Sequence, residues 1–230
     1  MIRVAEIFHS IQGEGILAGT PSVFIRVSGC NLRCRWCDTE YTSWQPEGTM
    51  RAVHEIVHEV LAYRCPYVVL TGGEPFLYPE LAALCQQLRA ADRHLTIETA
   101  ATIYREVPCD LLSLSPKLSN STPWQREGGR FARRHERQRI QLEVLGRFLT
   151  NYRDYQVKFV VEQPSDLDEI QMLLARLPPI PKERILLMPQ GVTPEELRER
   201  GRWLVEACKQ FGYRYCPRLQ IELFGNRRGV

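Results

Sequence analysis

Three cysteines fall within eight positions in GCNLRCRWCDT (residues 29–39), at Cys30, Cys34 and Cys37, and the next one, Cys65, stands 28 residues further on. The spacing C-x3-C-x2-C puts three thiolates on one short loop and supplies no fourth. A structural zinc site takes four protein ligands, and so does an ordinary iron–sulfur cluster. Three soft thiolates suit a cluster with one iron left open for chemistry. The alternative reading is a zinc knuckle completed by a remote His or Cys, for which no partner pair is visible. Cys65, Cys85, Cys109, Cys208 and Cys216 stand singly and read as free or buried thiols.

The rest of the chain must present that loop where chemistry gathers. Six short apolar runs bounded by turn signals read as buried parallel strands: SVFIRV (22–27), YVVLT (67–71), LTIET (95–99), LLSLS (111–115), YQVKFVV (155–161) and RILLM (184–188). Amphipathic stretches alternate with them. Residues 49–64 read as a helix capped by Thr49, 165–177 as a second, and 193–211 as a third with Thr193 as cap and Pro194 in the first turn. This order predicts an α/β fold with a parallel sheet. A full eight-unit barrel needs ~250 residues, so 230 residues with about six units predict a partial (β/α) barrel in a single domain, residues 1–230. No apolar run approaches the ~20 residues of a membrane span. MIRVAEIFHSIQGEG has no secretory apolar core, so the default expectation is a cytoplasmic protein with no membrane partner.

Ligands in such folds bind at the carboxyl ends of strands. Immediately after strand ends stand Cys30, TGGEP (71–75), ETA (98–100), SPK (115–117) and MPQG (188–191), all on one rim. In TGGEP two glycines let backbone approach a ligand, and Glu74 suits an ammonium. Arg26 projects from the first of the expected strands, with a fork that suits a carboxylate. Trp36, between two of the cysteines, suits a role shielding a cluster or stacking on an adenine.

The cysteine triplet after the first expected strand, with TGGEP after the next, resembles the radical S-adenosylmethionine superfamily. IQGEG (11–15), FIRVSGC (24–30) and CDT (37–39) are similar, more narrowly, to the 7-carboxy-7-deazaguanine synthases, closely over residues 5–44 and again at later strand ends and in PRLQIELFGNRRG. The resemblance implies that a 4Fe-4S cluster is held by Cys30, Cys34 and Cys37 and that its open iron is chelated by S-adenosylmethionine. One electron then cleaves the sulfonium to a 5′-deoxyadenosyl radical. It implies conversion of 6-carboxy-5,6,7,8-tetrahydropterin to 7-carboxy-7-deazaguanine with loss of ammonia, on the way to queuosine and related deazapurines. Carried onto this sequence, it places Ile11, Gln12, Gly13, Arg26, Thr71 and Glu98 at the substrate, with residues 1–20 as an N-terminal substrate-binding segment. It places Thr39 on Mg2+, and Trp36, Cys37, Asp38, Gly73, Ser115, Pro116, Lys117, Met188 and Gln190 at S-adenosylmethionine. A flavodoxin or ferredoxin donor and a homodimer are further implied. The chain ends NRRGV rather than in the proline of compared members, which leaves the tail's substrate contacts open.

Three rival features compete. HEIVH (54–58) has the form of a zinc-protease helix motif, yet its histidines fall on the solvent shoulder of the apolar stripe and no third ligand follows. REGGRFARRHERQR (126–139) carries six Arg against two Glu, in a chain of net charge +3. It raises an RNA-binding or zinc module as an alternative, but lacks aromatics other than Phe131 and reads as a solvated loop or mobile helix start within a basic loop insertion, residues 119–139. No nucleic-acid partner is therefore expected. A glycyl-radical activating enzyme would share the triplet and act on a protein partner, whereas IQGEG and Arg26 favour a small carboxylated substrate.

Overall fold

Polar and apolar side chains alternate along the central strands, and that period of two decides which face of the sheet becomes core. The computed structural model describes residues 1–230. Nine strands form one sheet: β1 (Ile2–Ile11), β2 (Pro21–Val27), β3 (Thr49–Arg51), β4 (Tyr67–Gly72), β5 (His94–Thr99), β6 (Leu111–Leu114), β7 (Tyr155–Val161), β8 (Ile185–Pro189) and β9 (Arg214–Tyr215). Their spatial order is β3-β1-β2-β4-β5-β6-β7-β8-β9. The six expected runs are β2 and β4 to β8, paired in parallel. The order is linear, so the sheet stays open, as a partial barrel does.

Three strands were not anticipated. β1 lies antiparallel to β2 and to β3, and the short β9 is parallel to β8. The strand carrying Arg26 is therefore the second, and ten of residues 1–20 form a strand of the sheet. Thr49 is not a helix cap. Gly48, at φ +98, turns the chain so close to β1 that a Cβ would lie 2.3 Å from the Val4 carbonyl oxygen. Thr49–Arg51 then pair with Ile2–Val4.

The helices are α1 (Glu40–Ser43), α2 (Val53–Ala62), α3 (Leu81–Ala90), α4 (Ala132–Gln138), α5 (Leu142–Asn151), α6 (Asp166–Leu174), α7 (Pro194–Phe211) and α8 (Leu219–Phe224). α7 starts as its sequence dictates: the Thr193 hydroxyl accepts from Glu196 N, Pro194 opens the first turn, and Gly212 ends the helix at φ +75. In α2, His54, Glu55 and His58 are exposed. Glu55 accepts from Ala52 N at 2.8 Å. That carboxylate caps the helix, and no third ligand joins the histidines.

One sheet face carries Val23, Ile25, Val27, Val68, Leu70, Ile97, Leu112, Leu114, Val157, Phe159 and Leu187, all fully buried in one core. Burying each such side chain stabilises by roughly 1.5–3 kcal/mol. Phe76 and Phe148 close it edge to face, ring centroids 5.1 Å apart. The opposite face carries the alternate residues Arg26, Thr71, Glu98, Ser113, Gln156 and Lys158. Register aligns them across strands, Arg26 beside Thr71, Glu98 beside Ser113, and Ser113 beside Gln156. The polar half of each strand therefore lines a concavity.

Candidate active site

That concavity is a cavity of about 330 Å³ at the carboxyl ends of the strands. Its cysteine loop leaves β2 through Gly29, at φ +103, whose N–H donates to the Thr42 carbonyl at 2.7 Å. The Trp44 indole N–H donates to the Cys34 carbonyl at 2.9 Å, and Cys37 N donates to the same carbonyl. TGGEP packs directly beneath. Gly73 N donates to Val27 O, and Glu74 N to Gly29 O at 2.9 Å. A Cβ on Gly73 would sit 1.9 Å from the Gly29 carbonyl oxygen. Gly73→Ala is expected to cost on the order of 1–3 kcal/mol and to lower iron retention by displacing the cysteine loop, measured by urea unfolding and metal content. Glu74 does not face the cavity to receive an ammonium. It is fully buried and accepts from Phe76 N, the Thr99 hydroxyl and Ala100 N, tying this loop to β5.

Cys30, Cys34 and Cys37 all line the cavity, and all eight cysteines are free. Burial pushes the Cys30 thiol up to about 12, with Glu74 adding to it. Burial also raises Cys34 and Cys37, and the Cys37 sulfur contacts the Ser43 hydroxyl at 3.2 Å. Left alone, three such thiols stay protonated, whereas a cationic centre bound there takes them as thiolates. Three soft thiolate donors on one loop at the cavity wall fit a cluster with one open position.

The structure gathers nearly all the other expected residues on the same wall. Ile11, Gln12, Gly13, Arg26, Trp36, Asp38, Thr39, Thr71, Gly73, Glu98, Ser115, Lys117, Met188 and Gln190 line it. Pro116 is the exception. Ser113, Ser115 and Lys117 alternate into the cavity, and Pro116, between two of them, is buried off its wall. Glu98 joins three elements: it accepts from the Gln12 amide at 3.2 Å and the Thr71 hydroxyl at 2.7 Å. Arg26 donates through Nε to Glu6 at 2.7 Å, which leaves its two terminal nitrogens for a ligand. Beside it Phe8 and Phe24 stack at 5.0 Å and 11°, forming a flat apolar shelf with Val69. Lys117 donates to the Ser115 hydroxyl at 2.7 Å and lies 5.9 Å from the Trp36 ring. The Thr39 hydroxyl has only the Thr42 hydroxyl at 3.4 Å and the Cys37 sulfur at 3.8 Å near it.

A buried charge network was missed. Lys158, 4% exposed on β7, pairs with Glu14. Arg218, 6% exposed, pairs with Glu14 at 3.1 Å and with Asp38, and donates to the Gly191 carbonyl. Gln220 adds a bond to Glu14 at 2.8 Å. The tail thus packs over QGEG, and Leu219 N donates to Gly13 O. A Cβ on Gly13 would lie 2.9 Å from Gln220 N and closer still to its side chain, which is why this turn needs glycine. The signal was present in YQVKFVV: Gln156 and Lys158 share one face of a buried strand.

The basic segment is helical in part, with one side buried and one side solvated. α4 lies within it, with His135 only 1% exposed. The His135 ring accepts Arg33 N at 3.0 Å and meets the Ser121 hydroxyl at 2.9 Å. Phe131 packs edge to face on Trp44, and Arg126 lies 3.8 Å over the Trp44 ring. The segment clamps the cysteine loop. Burial holds His135 down to about 4. The unfolded chain then takes up its proton first as pH falls from about 6.5, so stability present above that value is lost toward pH 4. His135→Gln should flatten the fall in stability between pH 7 and pH 5, read by urea titrations at both.

Residues 24–121 match the Radical SAM superfamily. The 7-carboxy-7-deazaguanine synthase of Rhodopirellula baltica is 46% identical over 229 residues, covering 100% of this chain and 89% of that protein. The enzyme of that name from Halobacterium salinarum is 45% identical, covering 98% and 91%. The crystal structure of QueE from Escherichia coli superimposes with a TM-score of 0.67 at 25% identity, covering 94% of this chain and 92% of that one. With a radical SAM cysteine loop opening onto a polar cavity and relatives this similar over their length, the chain belongs to the 7-carboxy-7-deazaguanine synthase family of the radical SAM superfamily.

Proposed function

We propose that this chain makes 7-carboxy-7-deazaguanine, the product that the names of its relatives print, and that it does so from 6-carboxy-5,6,7,8-tetrahydropterin with release of ammonia. The observation that carries the reading is that the Gln12–Thr71–Glu98 network and the Arg26 fork share one cavity with Cys30, Cys34 and Cys37. Those cysteines would hold a 4Fe-4S cluster, and Trp36, Gly73, Ser115, Lys117, Met188 and Gln190 would line the S-adenosylmethionine site. Together those groups, when bound, supply a 5′-deoxyadenosyl radical that takes a hydrogen atom from substrate.

The protein's own work is placement. The two free nitrogens of Arg26 suit the substrate carboxylate bidentately. Glu98, with two acceptor positions already filled, keeps lone pairs for the amino-pyrimidine edge of a pterin. The Phe8–Phe24 shelf suits its flat ring. Thr39 would offer Mg2+ one hydroxyl ligand, and the ion would supply positive charge for the substrate carboxylate. Holding substrate at one distance and angle from the hydrogen-abstracting carbon accounts for the rate advantage such a site offers. Electrons would come from a flavodoxin or ferredoxin. No helix is long and apolar enough to cross a membrane, and eight free cysteines suit a reducing cytoplasm. The homodimer remains an inference from likeness.

The test is turnover. Protein reconstituted anaerobically with iron and sulfide is given S-adenosylmethionine, a reductant and the carboxytetrahydropterin. A product lighter by one ammonia, comigrating with 7-carboxy-7-deazaguanine, is expected. Cleavage of S-adenosylmethionine with the pterin left unchanged would reject this substrate and return the glycyl-radical activating alternative.

A further inference from the structure

We propose that the exposed face of α4 is the docking surface for an acidic one-electron carrier protein that reduces the centre held at the cysteine loop. The inference rests on reading Cys30, Cys34 and Cys37 as cluster ligands. Electron transfer between proteins weakens steeply with distance, so a donor must dock over the loop that carries the centre. α4 is bonded to that loop. The His135 ring accepts Arg33 N, Arg33 lies 5.4 Å over the Phe131 ring, and Arg126 donates to the Arg35 carbonyl.

The helix splits its charges by face. At 100° per residue, Ala132, His135 and Arg139 point inward, the first two buried and the third paired with Glu136 and Glu169. Arg133, Arg134 and Arg137 fall within about 100° on the opposite side, and Arg130 stands just before the helix, all four exposed. None of these four forms a salt bridge, and the exposed acids without one in the flanking sequence are Glu127 and Glu143, one on either side of the helix. A single-sign patch fixed beside a redox loop steers and orients a partner of opposite charge. RNA fits less well. Phe131 is covered by Arg33, Arg130 and Trp44, so the exposed aromatic ring of the insertion is Trp124, which lies off the helix. In the exchange the carrier is oxidised by one electron and the bound centre reduced by the same one, with no bond or proton transferred.

The test uses the reconstituted protein and a triple variant, Arg133→Glu, Arg134→Glu and Arg137→Glu. Flavodoxin affinity is measured at low and physiological salt, alongside turnover driven by flavodoxin and by dithionite. The proposal expects affinity weakened by about tenfold or more, a flattened salt dependence, slower flavodoxin-driven turnover and unchanged dithionite-driven turnover. The triple Arg→Gln variant should fall between. Unchanged affinity and salt slope would overturn it, as would an equal loss with dithionite, which would make α4 a brace for the loop only. An RNA hairpin bound by wild type and lost in the variant, with flavodoxin binding unaltered, would overturn it in favour of RNA. Failure of the pterin reading looks different: flavodoxin binding responds as expected while no deazaguanine forms.

Discussion

Cys34→Ala yields a folded protein that retains little iron and turns over more than about a hundredfold more slowly. Weakening an outer contact to a metal ligand already costs roughly 10–100-fold, and this change removes the ligand itself. The fold should persist because the loop is held by contacts that do not involve the thiol: Gly29 N on Thr42 O, the Trp44 indole on Cys34 O, and Arg33 N on the His135 ring. Cys30→Ala and Cys37→Ala should match it. Cys109→Ala, away from the cavity wall, should keep iron and turnover. Iron and sulfide per chain, with thermal unfolding as a check on folding, make the measurement. Normal iron content in all three loop variants would remove the assignment of these residues.

Arg218→Met is expected to be the most destabilising change outside the core. It strands Asp38 and leaves Glu14 with Lys158 and Gln220 as its remaining partners. Removing one partner of a buried ion pair costs about 3–5 kcal/mol. In a chain of this length that lowers Tm by roughly 6–20 °C. Substrate KM should rise as well, since the tail that carries Arg218 and Gln220 walls the cavity. Removing Glu14 and Lys158 together should cost less than the sum of the two single changes, because neither charge is then left alone.

The pH range of that network follows from the direction of each shift. Burial alone would raise the Glu14 carboxyl, and Lys158 and Arg218 more than reverse it, holding it well below its ordinary 4.5. The unfolded chain protonates there first, so this contribution is full above about 4.5 and lost as pH falls below. Burial would lower Lys158, but Glu14 and Glu98 push it above its ordinary 10.5. Its contribution is full below that value and lost as pH rises beyond. Between about pH 5 and pH 10 the network adds a constant amount.

The six parallel strands were legible because each is an apolar run ended by turn residues, and strand ends carry the chemistry in such folds. The cavity residues after those ends came with them. β1 was hidden because MIRVAEIFHSI is mixed in polarity, and its partner β3 is three residues long. Lys158 is hard to single out because YQVKFVV has the look of one apolar run, while its alternate positions face a polar cavity. Arg218 and Gln220 could not be placed from local pattern. Their partners Glu14 and Asp38 lie 204 and 180 residues away from Arg218. The clamp formed by α4 was concealed by its charge: six arginines suggest solvent, and the buried His135 among them is one residue.

If Cys30, Cys34 and Cys37 hold the cluster, one coordination position is left for the sulfonium nucleotide. Electron paramagnetic resonance of the reduced, reconstituted protein, recorded with and without S-adenosylmethionine, tests it most directly. A cubane signal whose g-values shift on adding the nucleotide is expected. A protein with no such signal, or with one indifferent to the nucleotide, would contradict it.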